Sequence, residues 1–399
     1  MQCVILAAGE GSRMRPLTTS RPKVMLPLAG KPMLEHLIRN VRDAGITEII
    51  LVVGYREEAI RTWFDDGSNF GVSIHYVVQR KQMGTADALK TVEPFIHDIF
   101  LMLNGDMILE RADLEKITAL PSPVMATSTT MHPESFGVVT VENDKITTLE
   151  EKSLHPKSNI INAGAYLFDP DIFVILKKLS PSTRGEYELT DALTDYISEG
   201  KLTAYPLSIW MDVGYPWDML SANEHLLETV VGEQNGTVEE NVMIKGQLIL
   251  GKGSVIKSGT YIEGPCIIGE NTVVGPNAYL RSGTTIGNNC HIGHAVEIKN
   301  SIIFDDTKIP HYNYIGDSVI GSRCNFGAGT KIANLRHDHG PVKVGGMSTG
   351  RKKFGAVIGD DVMFGINCSI NTGSSIGSGT RVAPHTLVSG MIENKTVVK

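Results

Sequence analysis

The chain has 399 residues, a formal net charge of −7 and a hydrophobic fraction of 42%. This length favours two domains, and the acidic balance argues against nucleic acid or an anionic membrane as the main partner. No apolar run approaches the ~18 residues of a membrane span. The first six residues are too few for a signal peptide, and the five cysteines form no C-x-x-C pair. We therefore expect a protein of the reducing cytoplasm, without a zinc site or a disulfide framework.

Apolar runs alternate with amphipathic segments up to about residue 231, which predicts a first domain over residues 1–231. The pattern predicts strands at residues 4–6, 49–53, 73–78, 99–103, 137–141 and 160–168, and helices at residues 31–44, 57–64, 171–179, 187–198 and 217–231. Continuous apolar strands separated by helices indicate a Rossmann-like α/β domain with a mostly parallel sheet. Ligands of such sheets bind at the carboxyl ends of the strands, so the loops after residues 6 and 103 should share one rim.

The loop after the first strand has the composition of an anion site. Gly9 and Gly11 permit backbone conformations that turn several N–H groups toward one point. Arg13 and Lys23 bring positive side chains to the same region, and three prolines at positions 16, 22 and 27 stiffen the path. A stiff loop with N–H donors, a guanidinium and an ammonium suits a polyphosphate.

From residue 232 to residue 399 an aliphatic or aromatic residue recurs at every sixth position. Period six fits a solenoid whose coils have three short flat faces, with the recurring residue pointing inward. Two one-residue slips flank His311, and a polar insertion interrupts the register at residues 335–354. The series runs Val238, Ile244, Leu250, Ile256, Ile262, Ile268, Val274, Leu280, Ile286, Ile292, Ile298, Phe304, then Ile309, Ile315, Ile320, Phe326, Ile332, and finally Ile358, Phe364, Ile370, Ile376, Val382, Val388.

An ordered set of motifs in the first domain resembles the sugar-1-phosphate nucleotidylyltransferases. A plain strand-to-helix turn would explain the glycine loop alone, but it would not explain the whole set. The set comprises LAAGEGSR at residues 6–13, Pro22-Lys23, Gln79, Gly84-Thr85, Gly105-Asp106, Glu151-Lys152, NAG at residues 162–164 and WMDVG at residues 210–214.

The resemblance implies in-line attack by a sugar-phosphate oxygen on the α-phosphorus of a nucleoside triphosphate, with expulsion of pyrophosphate. Because the nucleophile is already anionic, the reaction needs charge neutralisation and alignment instead of a general base. The implied roles are catalysis by Arg13 and Lys23, Mg²⁺ binding by Asp106 and Asp212, nucleotide binding by Leu6, Ala8, Gly9, Gly11, Gln79, Gly84 and Thr85, and sugar-phosphate binding by Gly137, Glu151, Lys152 and Asn162. Glu150 leaves a one-residue ambiguity about which carboxylate meets the sugar.

Residues 280–334 of the solenoid resemble a second enzyme site. Their pattern is Leu-Arg, Val-Glu-x-Lys, Lys-x-x-His-x-x-Tyr-x-Gly-Asp and Asn-x-Gly-Ala-Gly-Thr. It is similar to the acetyltransferase site of the bacterial bifunctional UDP-N-acetylglucosamine pyrophosphorylase/glucosamine-1-phosphate N-acetyltransferases. That family implies a left-handed parallel β-helix of hexapeptide repeats over residues 232–399, trimeric assembly and an acetyl site between subunits.

Acetylation of an amino sugar needs a base, because the amine is largely protonated at neutral pH. His311 is the candidate, since an imidazole has a reference pKa of about 6.5. The other histidines at positions 291, 294, 337 and 339 are expected to be solvated. The basic run at residues 351–353 is also expected to be solvated, with contact to the CoA phosphates as the alternative. The resemblance assigns the sugar phosphate to Arg281 and Lys299, the amino sugar to Tyr314, Asn325 and Asn334, and acetyl-CoA to Ala328.

Asp212 departs from the bacterial pattern, which has asparagine at this position. The Trp-x-Asp-Val-Gly form is more similar to thymidylyl- and mannose-1-phosphate guanylyltransferases. Together with the short C-terminal end, it resembles the archaeal bifunctional sugar-1-phosphate nucleotidylyltransferase/acetyltransferases. The implied substrates are UTP or dTTP, a hexose-1-phosphate, a hexosamine-1-phosphate and acetyl-CoA. Gln79 is compatible with either pyrimidine.

Two other functions are open at this point. One is a nucleotidylyltransferase whose solenoid only assembles or regulates the protein, and the residues around His311 disfavour it. The other is a non-catalytic regulator that kept both folds. The intact set of Arg13, Lys23, Asp106 and Asp212 disfavours that alternative.

Overall fold

The computed structural model describes residues 1–182 and 185–399. The chain divides into two compact units. The first contains residues 1–10 and 33–212, and the second contains residues 11–32 and 213–399. The segment that carries Arg13 and Lys23 therefore belongs to the same unit as the C-terminal repeats.

The strands of the first unit are β1 Gln2–Ala7, β2 Glu48–Val53, β3 Ser73–Val78, β4 Phe100–Asn104, β5 Met107–Leu109, β6 Val124–Thr129, β7 Gly137–Glu142, β8 Lys145–Glu151, β9 Ile160–Phe168, β10 Thr203–Pro206 and β11 Trp210–Asp212. Nine of them form the central sheet, in the order β3-β2-β1-β4-β9-β6-β10-β8-β7. Strands β5 and β11 pair separately as a two-stranded antiparallel sheet.

The predicted Rossmann-like arrangement is confirmed in the half of the sheet built from the first strands. Strands β3, β2, β1 and β4 are parallel neighbours. The apolar runs of β2, β1 and β4 are buried, whereas burial alternates along the edge strand β3. Among the described strands of this sheet, only β8 and β9 run in the opposite direction. Asn143 and Asp144 both have positive φ and join β7 to β8 as a tight hairpin, which explains the reversal at β8.

The helices of the first unit are amphipathic or short and pack on this sheet. Helix α1 begins at Met33 and not at residue 31, because Lys31–Pro32 pairs with Pro27–Leu28 as a short strand. Gly45, with φ of +89°, closes its C-terminus through a bond from its N–H to the Arg42 carbonyl. The helices are α1 Met33–Asp43, α2 Glu57–Phe64, α3 Thr85–Lys90, α4 Arg111–Thr118, α5 Ile172–Leu176 and α6 Leu189–Ser198.

The second unit is a parallel β-helix, as the period of six predicted. Each coil adds one short strand to each of three parallel sheets, here called faces A, B and C. Face A contains Glu233–Gln234, Leu248–Leu250, Cys266–Ile268, Thr284–Ile286, Ile302–Ile303, Val319–Ile320, Ala356–Ile358, Ser374–Ile376 and Met391–Ile392. Face B contains Thr237–Val238, Val255–Ile256, Val273–Val274, His291–Ile292, Lys308–Ile309, Asn325–Phe326, Met363–Phe364, Arg381–Val382 and Val397–Val398. Face C contains Met243–Lys245, Tyr261–Glu263, Tyr279–Leu280, Glu297–Lys299, Tyr314–Gly316, Lys331–Ile332, Ser369–Ile370 and Leu387–Val388.

The inward register is wrong at one predicted position. Ile303, and not Phe304, pairs with Ile286 of the preceding coil and lies in the interior cluster. The first one-residue slip therefore precedes Ile303. Phe304 takes the next position, which the adjacent coils fill with Gly287 and Gly321. A buried phenylalanine thus stands outside the prism, where its neighbours have no side chain.

The remaining parts of the second unit lie outside the repeats. Helix α7, Asp218–Glu228, precedes the first coil, and the short strands Pro27–Leu28 and Lys31–Pro32 pair with each other. The insertion carries a hairpin of Lys343–Val344 and Met347–Ser348. All five cysteines of the chain are free and buried. Over the described residues, every helix is too short or too polar to cross a membrane.

Candidate active sites

The carboxyl ends of β1, β2 and β4 meet at one rim, as the parallel sheet predicted. The Gly105 N–H donates to the Leu6 carbonyl at 2.9 Å. The Ala8 carbonyl accepts from the Tyr55 N–H at 3.1 Å and from the Gln82 amide at 2.6 Å. A Cβ at Gly54 would lie 2.9 Å from the Ala8 oxygen. The backbone is therefore too close for a side chain at Gly54, whereas a Cβ at Gly9 would have no neighbour within 4 Å.

Gln79 and Gly84 form one hydrogen-bonded group at the end of β3. The Gln79 side chain is buried, and its amide nitrogen donates to Asp87 at 2.8 Å and to the Gly84 carbonyl at 3.2 Å. Because a carboxylate only accepts, Asp87 sets which way the amide points. Gly84 has φ of +103°, and a Cβ there would lie 2.4 Å from the Tyr187 oxygen. Thr85 begins α3 and accepts from the Leu189 N–H at 3.3 Å.

Asp106 and Asp212 lie at the same end of the small β5–β11 sheet. Asp212 is the register partner of Met107, the residue that follows Asp106. Over the part of the chain that the structure describes, three or more His, Cys, Asp or Glu side chains do not cluster as a metal cage. Two carboxylates fit Mg²⁺, which takes oxygen ligands and completes its shell with water and substrate phosphate.

Gly137, Glu151 and Asn162 are neighbours on β7, β8 and β9. Glu151 is the register partner of Gly137, where a Cβ would lie 3.0 Å from a Glu151 carboxylate oxygen and 3.6 Å from the Asn162 Cβ. Glu150 instead pairs with Lys157 at 3.1 Å, and this bond lowers the pKa of its carboxyl. The structure thus separates the two adjacent carboxylates: Glu151 lies beside the other predicted sugar residues.

The turn at Asn162 is closely packed from two sides. The Asn162 amide and the Tyr166 hydroxyl share hydrogen bonds of 2.6 and 2.9 Å, and the Trp210 indole N–H donates to the Ala163 carbonyl at 2.9 Å. A Cβ at Gly164 would lie 2.4 Å from the Asn104 amide. Asn104, at the end of β4, was not among the predicted site residues, although it directly precedes Gly105-Asp106. Lys152, which follows Glu151 at the end of β8, has φ of +50°, and its N–H donates to the Phe136 carbonyl.

Arg13 and Lys23 lie in the second unit together with Gly11. The Arg13 guanidinium is exposed and stands 5.2 Å from the centre of the Tyr215 ring. Lys23 is buried, and a Cβ at Gly11 would lie 2.6 Å from the Lys23 Cβ. Only glycine therefore fits at Gly11, which also has φ of +70°.

Face C of the β-helix brings the predicted sugar-phosphate residues onto adjacent coils. Arg281 lies 3.1 Å from Glu297, and Lys299 lies 2.9 Å from Asp317. Tyr314 follows Glu297 one coil later. Burial raises the pKa of the Tyr314 phenol, with Glu297 and Asp317 adding to the effect. Both predicted phosphate-binding cations are therefore already paired with carboxylates that the sequence prediction left without a role.

Asp317 is the centre of this group. Its carboxylate is buried and accepts from Lys299, Asn300 and Asn334. Asn300 also donates to Glu224 of α7 at 2.7 Å, and Glu224 accepts from Arg351 of the insertion. The signal for Asp317 was present in the Tyr-x-Gly-Asp motif. The basic run is divided, because Arg351 pairs with α7 while Lys352 and Lys353 are exposed.

His311 lies at the turn from face B to face C. Its carbonyl accepts from the Gly329 N–H at 2.9 Å, so the Gly-Ala-Gly turn that holds Ala328 lies one coil beyond it. Asn325 is on face B in that same next coil, paired in register with Lys308. A Cβ at Gly293, one coil before, would lie 1.8 Å from the Pro310 oxygen. The His311 side chain is exposed at this turn.

Two of the histidines predicted to be solvated lie near His311. His294 packs edge-on against Tyr312, with 5.4 Å between ring centres. Partial burial lowers the pKa of His291, and the neighbouring Lys257, His311 and Lys308 act in the same direction. His337 and His339 are exposed in the insertion.

Comparisons with known proteins match two separate stretches of the chain. The family model described as nucleotidyl transferase matches residues 2–229, and the model described as GMPPB C-terminal domain matches residues 262–398. A Bacillus anthracis crystal structure named as a glucose-1-phosphate thymidylyltransferase, in complex with a sucrose, is 34% identical with a TM-score of 0.54. It covers 58% of this chain and 98% of its own.

Curated relatives match the chain over almost its whole length. The bifunctional protein GlmU of Methanococcus maripaludis strain C7 is 49% identical, and that of Methanocaldococcus jannaschii is 43% identical; each covers 100% of this chain and 97% of the relative. The bifunctional sugar-1-phosphate nucleotidylyltransferase/acetyltransferase of Sulfurisphaera tokodaii is 39% identical over 97% of both chains.

Proposed function

The chain belongs to the family of bifunctional GlmU proteins and sugar-1-phosphate nucleotidylyltransferase/acetyltransferases, and from this membership we propose two successive reactions. The β-helix acetylates glucosamine-1-phosphate with acetyl-CoA. The nucleotidyl transferase region then joins the resulting N-acetylglucosamine-1-phosphate to UTP, and it also accepts dTTP and glucose-1-phosphate. Asp212, which adds a carboxylate beside Asp106, is the reason we extend the range of substrates.

In the nucleotidyl transfer, a sugar-phosphate oxygen forms a bond to the α-phosphorus while the α–β phosphoanhydride bond breaks and pyrophosphate leaves. The Gly9–Gly11 backbone and Arg13 hold the β- and γ-phosphates, and Lys23 neutralises charge at the α-phosphate and the sugar phosphate. Asp106 and Asp212 would hold Mg²⁺, which supplies further neutralisation of the phosphate oxygens. The chain supplies alignment and charge, and no general base is required.

The base and sugar are held by neighbouring groups on the first sheet. With its amide nitrogen bonded to Asp87 and Gly84, Gln79 offers its carbonyl oxygen to the N3–H of uracil or thymine, while Leu6, Ala8 and Thr85 contact the nucleoside. Gly137, Glu151 and Asn162 contact the sugar, since a Cβ at Gly137 would crowd the Glu151 carboxylate, and Lys152 meets the sugar phosphate. Glu151 is preferred to Glu150 because it is the register partner of Gly137.

In the acetyl transfer, the amino nitrogen forms a bond to the thioester carbonyl carbon while the C–S bond breaks and the CoA thiolate leaves. His311 takes the proton that the amine loses. Arg281 and Lys299 bind the sugar phosphate, Tyr314, Asn325 and Asn334 hold the amino sugar, and Ala328 packs along the acetyl-CoA arm. Lys299 and Tyr314 lie on neighbouring strands of face C, and Asn325 lies on face B.

One observation carries the bifunctional proposal against a structural or regulatory β-helix. Lys299 is mostly buried and is held by Asp317 together with Asn334, at the edge of the prism and outside its apolar core. A solenoid that served only assembly would not need a lysine, a carboxylate and two amides collected at the surface of a few coils.

Reciprocal substitutions test the proposal. Asp106→Ala should abolish nucleotidyl transfer and leave acetyl transfer unchanged, whereas His311→Ala should do the reverse. Two exposed residues serve as matched controls. Asp98→Ala lies just before strand β4, which Asp106 follows, and His337→Ala lies in the insertion. Loss of both activities in either variant would indicate a folding defect or one coupled site. Wild-type protein that acetylates no hexosamine-1-phosphate would refute the bifunctional proposal.

A substrate matrix then ranks the substrates. UTP and dTTP are each paired with N-acetylglucosamine-1-phosphate and glucose-1-phosphate, and acetyl transfer is measured with glucosamine- and galactosamine-1-phosphate. Activity confined to a single nucleotide and a single sugar would contradict the broadened range that we attribute to Asp212.

We also propose that the β-helix is left-handed and that three chains form a trimer in the cytoplasm. Exposed apolar side chains on the repeats support assembly, among them Tyr312 at 60%, Ile366 at 48% and Leu387 at 69% exposure. Five free thiols suit a reducing compartment. Sedimentation equilibrium at several concentrations would decide the oligomeric state.

A further inference from the structure

The segment of residues 11–32 rests on the β-helix through contacts with residues about 300 positions away. The structure places this segment, with Arg13 and Lys23, in the second unit. It is attached at two places, near Ser20-Arg21 and at Ala29, and Lys23 lies between these attachments.

Asp360 of the β-helix makes the attachment near Lys23. One oxygen of its carboxylate accepts from the Arg21 guanidinium at 2.8 Å and from the Ser20 hydroxyl. Arg21 also donates to the Ser322 hydroxyl at 3.1 Å. The Asp360 side chain is 3% exposed and that of Arg21 is 21% exposed, so water competes weakly for this pair.

Phe304 supplies an apolar surface beneath the same guanidinium. The Arg21 guanidinium carbon stands 5.1 Å from the centre of the Phe304 ring. In the coils before and after, the position of Phe304 is occupied by Gly287 and Gly321. The interior of the prism does not explain this phenylalanine, whereas a stacking partner for Arg21 does.

Asn223 of α7 makes the second attachment. Its side chain is fully buried, and its carbonyl oxygen accepts from the Ala29 N–H and from the Thr285 hydroxyl, each at 2.9 Å. Its amide nitrogen donates to the Gly283 carbonyl at 2.9 Å. One side chain therefore joins the segment to two residues of the β-helix.

We propose that Asp360, with Phe304 beneath Arg21, is a positioning residue for nucleotidyl transfer: the β-helix holds the segment that presents Arg13 and Lys23 to the phosphates. This inference rests on the roles proposed above for Arg13 and Lys23. The β-helix then has a second role that is independent of acetyl transfer. Nucleotidyl transfer depends on a coil of the β-helix that does not contact the nucleotide.

The chain itself indicates a conservative test substitution. The other Asp360 oxygen accepts from the Ser322 N–H at 2.8 Å, a bond between coils. At the corresponding turns Asn288 and Asn394 make the same bond with an amide oxygen. Asp360→Asn therefore keeps this bond between coils and removes the charge that holds Ser20 and Arg21. The same charge lies 3.7 Å from Arg323, which keeps its closer pair with Asp361. Asp305→Asn is the matched control, because Asp305 makes the same bond between coils, to the Asn288 N–H.

The full-length variants Asp360→Asn, Arg21→Ala and Asp305→Asn are compared with wild type in both activities and in hydrogen exchange of residues 18–30. We expect Asp360→Asn and Arg21→Ala to lower kcat/KM for the nucleoside triphosphate by about tenfold or more, as misplaced catalytic groups do. Exchange in the segment should become faster while acetyl transfer remains within about twofold. The double variant should be no worse than Arg21→Ala, because both changes remove one contact.

Three outcomes would overturn the inference. Unchanged nucleotidyl transfer in both variants would do so, whether or not exchange becomes faster. A parallel loss of both activities would assign Asp360 a merely structural role, and an equal loss in Asp305→Asn would remove its specificity. Failure of the proposed function is distinguishable, because wild type would then transfer no nucleotide.

Discussion

The rim of the first sheet and face C of the β-helix build their sites from different groups. At the rim, glycines allow backbone and amide groups to approach, as Gly84 does against Tyr187 and Gly164 against Asn104. On face C, charged side chains from adjacent coils are paired before any substrate binds, as in Lys299 with Asp317. The rim should therefore be sensitive to an added atom, and face C to a removed charge.

The largest effect is expected from Asp317→Ala on face C. Removal of this buried carboxylate takes the acceptor from the Lys299 ammonium and the Asn334 amide, while Asn300 keeps its bond to Glu224. A broken buried pair costs about 3–5 kcal/mol. Acetyl transfer should fall by about two orders of magnitude, because Lys299 and Asn334 lose their positions. Thermal unfolding and acetyl transfer are the measurements. Asp338→Ala, which breaks the exposed pair with Arg336, is the control and should change little. Wild-type acetyl transfer in Asp317→Ala would remove the distinction between the two regions.

Gly84→Ala should disrupt the backbone at the rim of the first sheet. The new Cβ would lie 2.4 Å from the Tyr187 oxygen, at a residue with φ of +103°, so the backbone that holds Gln79 must move. We expect about a 100-fold loss of kcat/KM for the nucleoside triphosphate with unchanged acetyl transfer. Gly45→Ala is matched in backbone, with φ of +89°, but its Cβ has no neighbour within 4 Å. Equal losses in both variants would show that φ alone, and not the contact with Tyr187, is responsible.

Glu297→Gln should have a smaller effect on acetyl transfer than Asp317→Ala, and in the opposite direction. The pair of Arg281 and Glu297 is partly exposed, at 38% and 35%, so the charge contributes little to stability. Without the carboxylate, Arg281 is more available to a phosphate, and KM for the hexosamine-1-phosphate should fall about two- to fivefold. A higher KM would instead indicate that Glu297 itself contacts the sugar.

The smallest effect on nucleotidyl transfer is expected at Glu150, whereas its neighbour Glu151 should have a larger one. Glu150→Gln loses only an exposed pair with Lys157 and should leave nucleotidyl transfer within about twofold of wild type. Glu151→Gln should raise KM for the sugar phosphate about tenfold, because a charged acceptor for the sugar hydroxyls is weakened. Steady-state kinetics with varied sugar phosphate separate the two, and the reverse ranking would move the sugar contact to Glu150.

Much of the fold could be predicted because it depends on patterns that repeat locally along the sequence. The period of six predicted the β-helix, and the alternation of apolar runs and helices predicted the first sheet. One inward position was misassigned, since Ile303 and Phe304 are both apolar and the local pattern accepts either. Pairing with Ile286 on the preceding coil decides between them, and that contact is not visible in a window of six residues.

The motifs at residues 6–13, 210–214 and 308–317 are short and contiguous, so the sequence predicts the residue types of the two proposed sites. It does not predict that residues 11–32 join the β-helix unit, that Asp317 gathers Lys299 and two asparagines, or that Phe304 lies under Arg21. These are single contacts between side chains separated along the chain, by as many as the 339 positions between Arg21 and Asp360. Such contacts impose no period on the sequence, and burial of the charged pair becomes apparent only when the chain has folded around it.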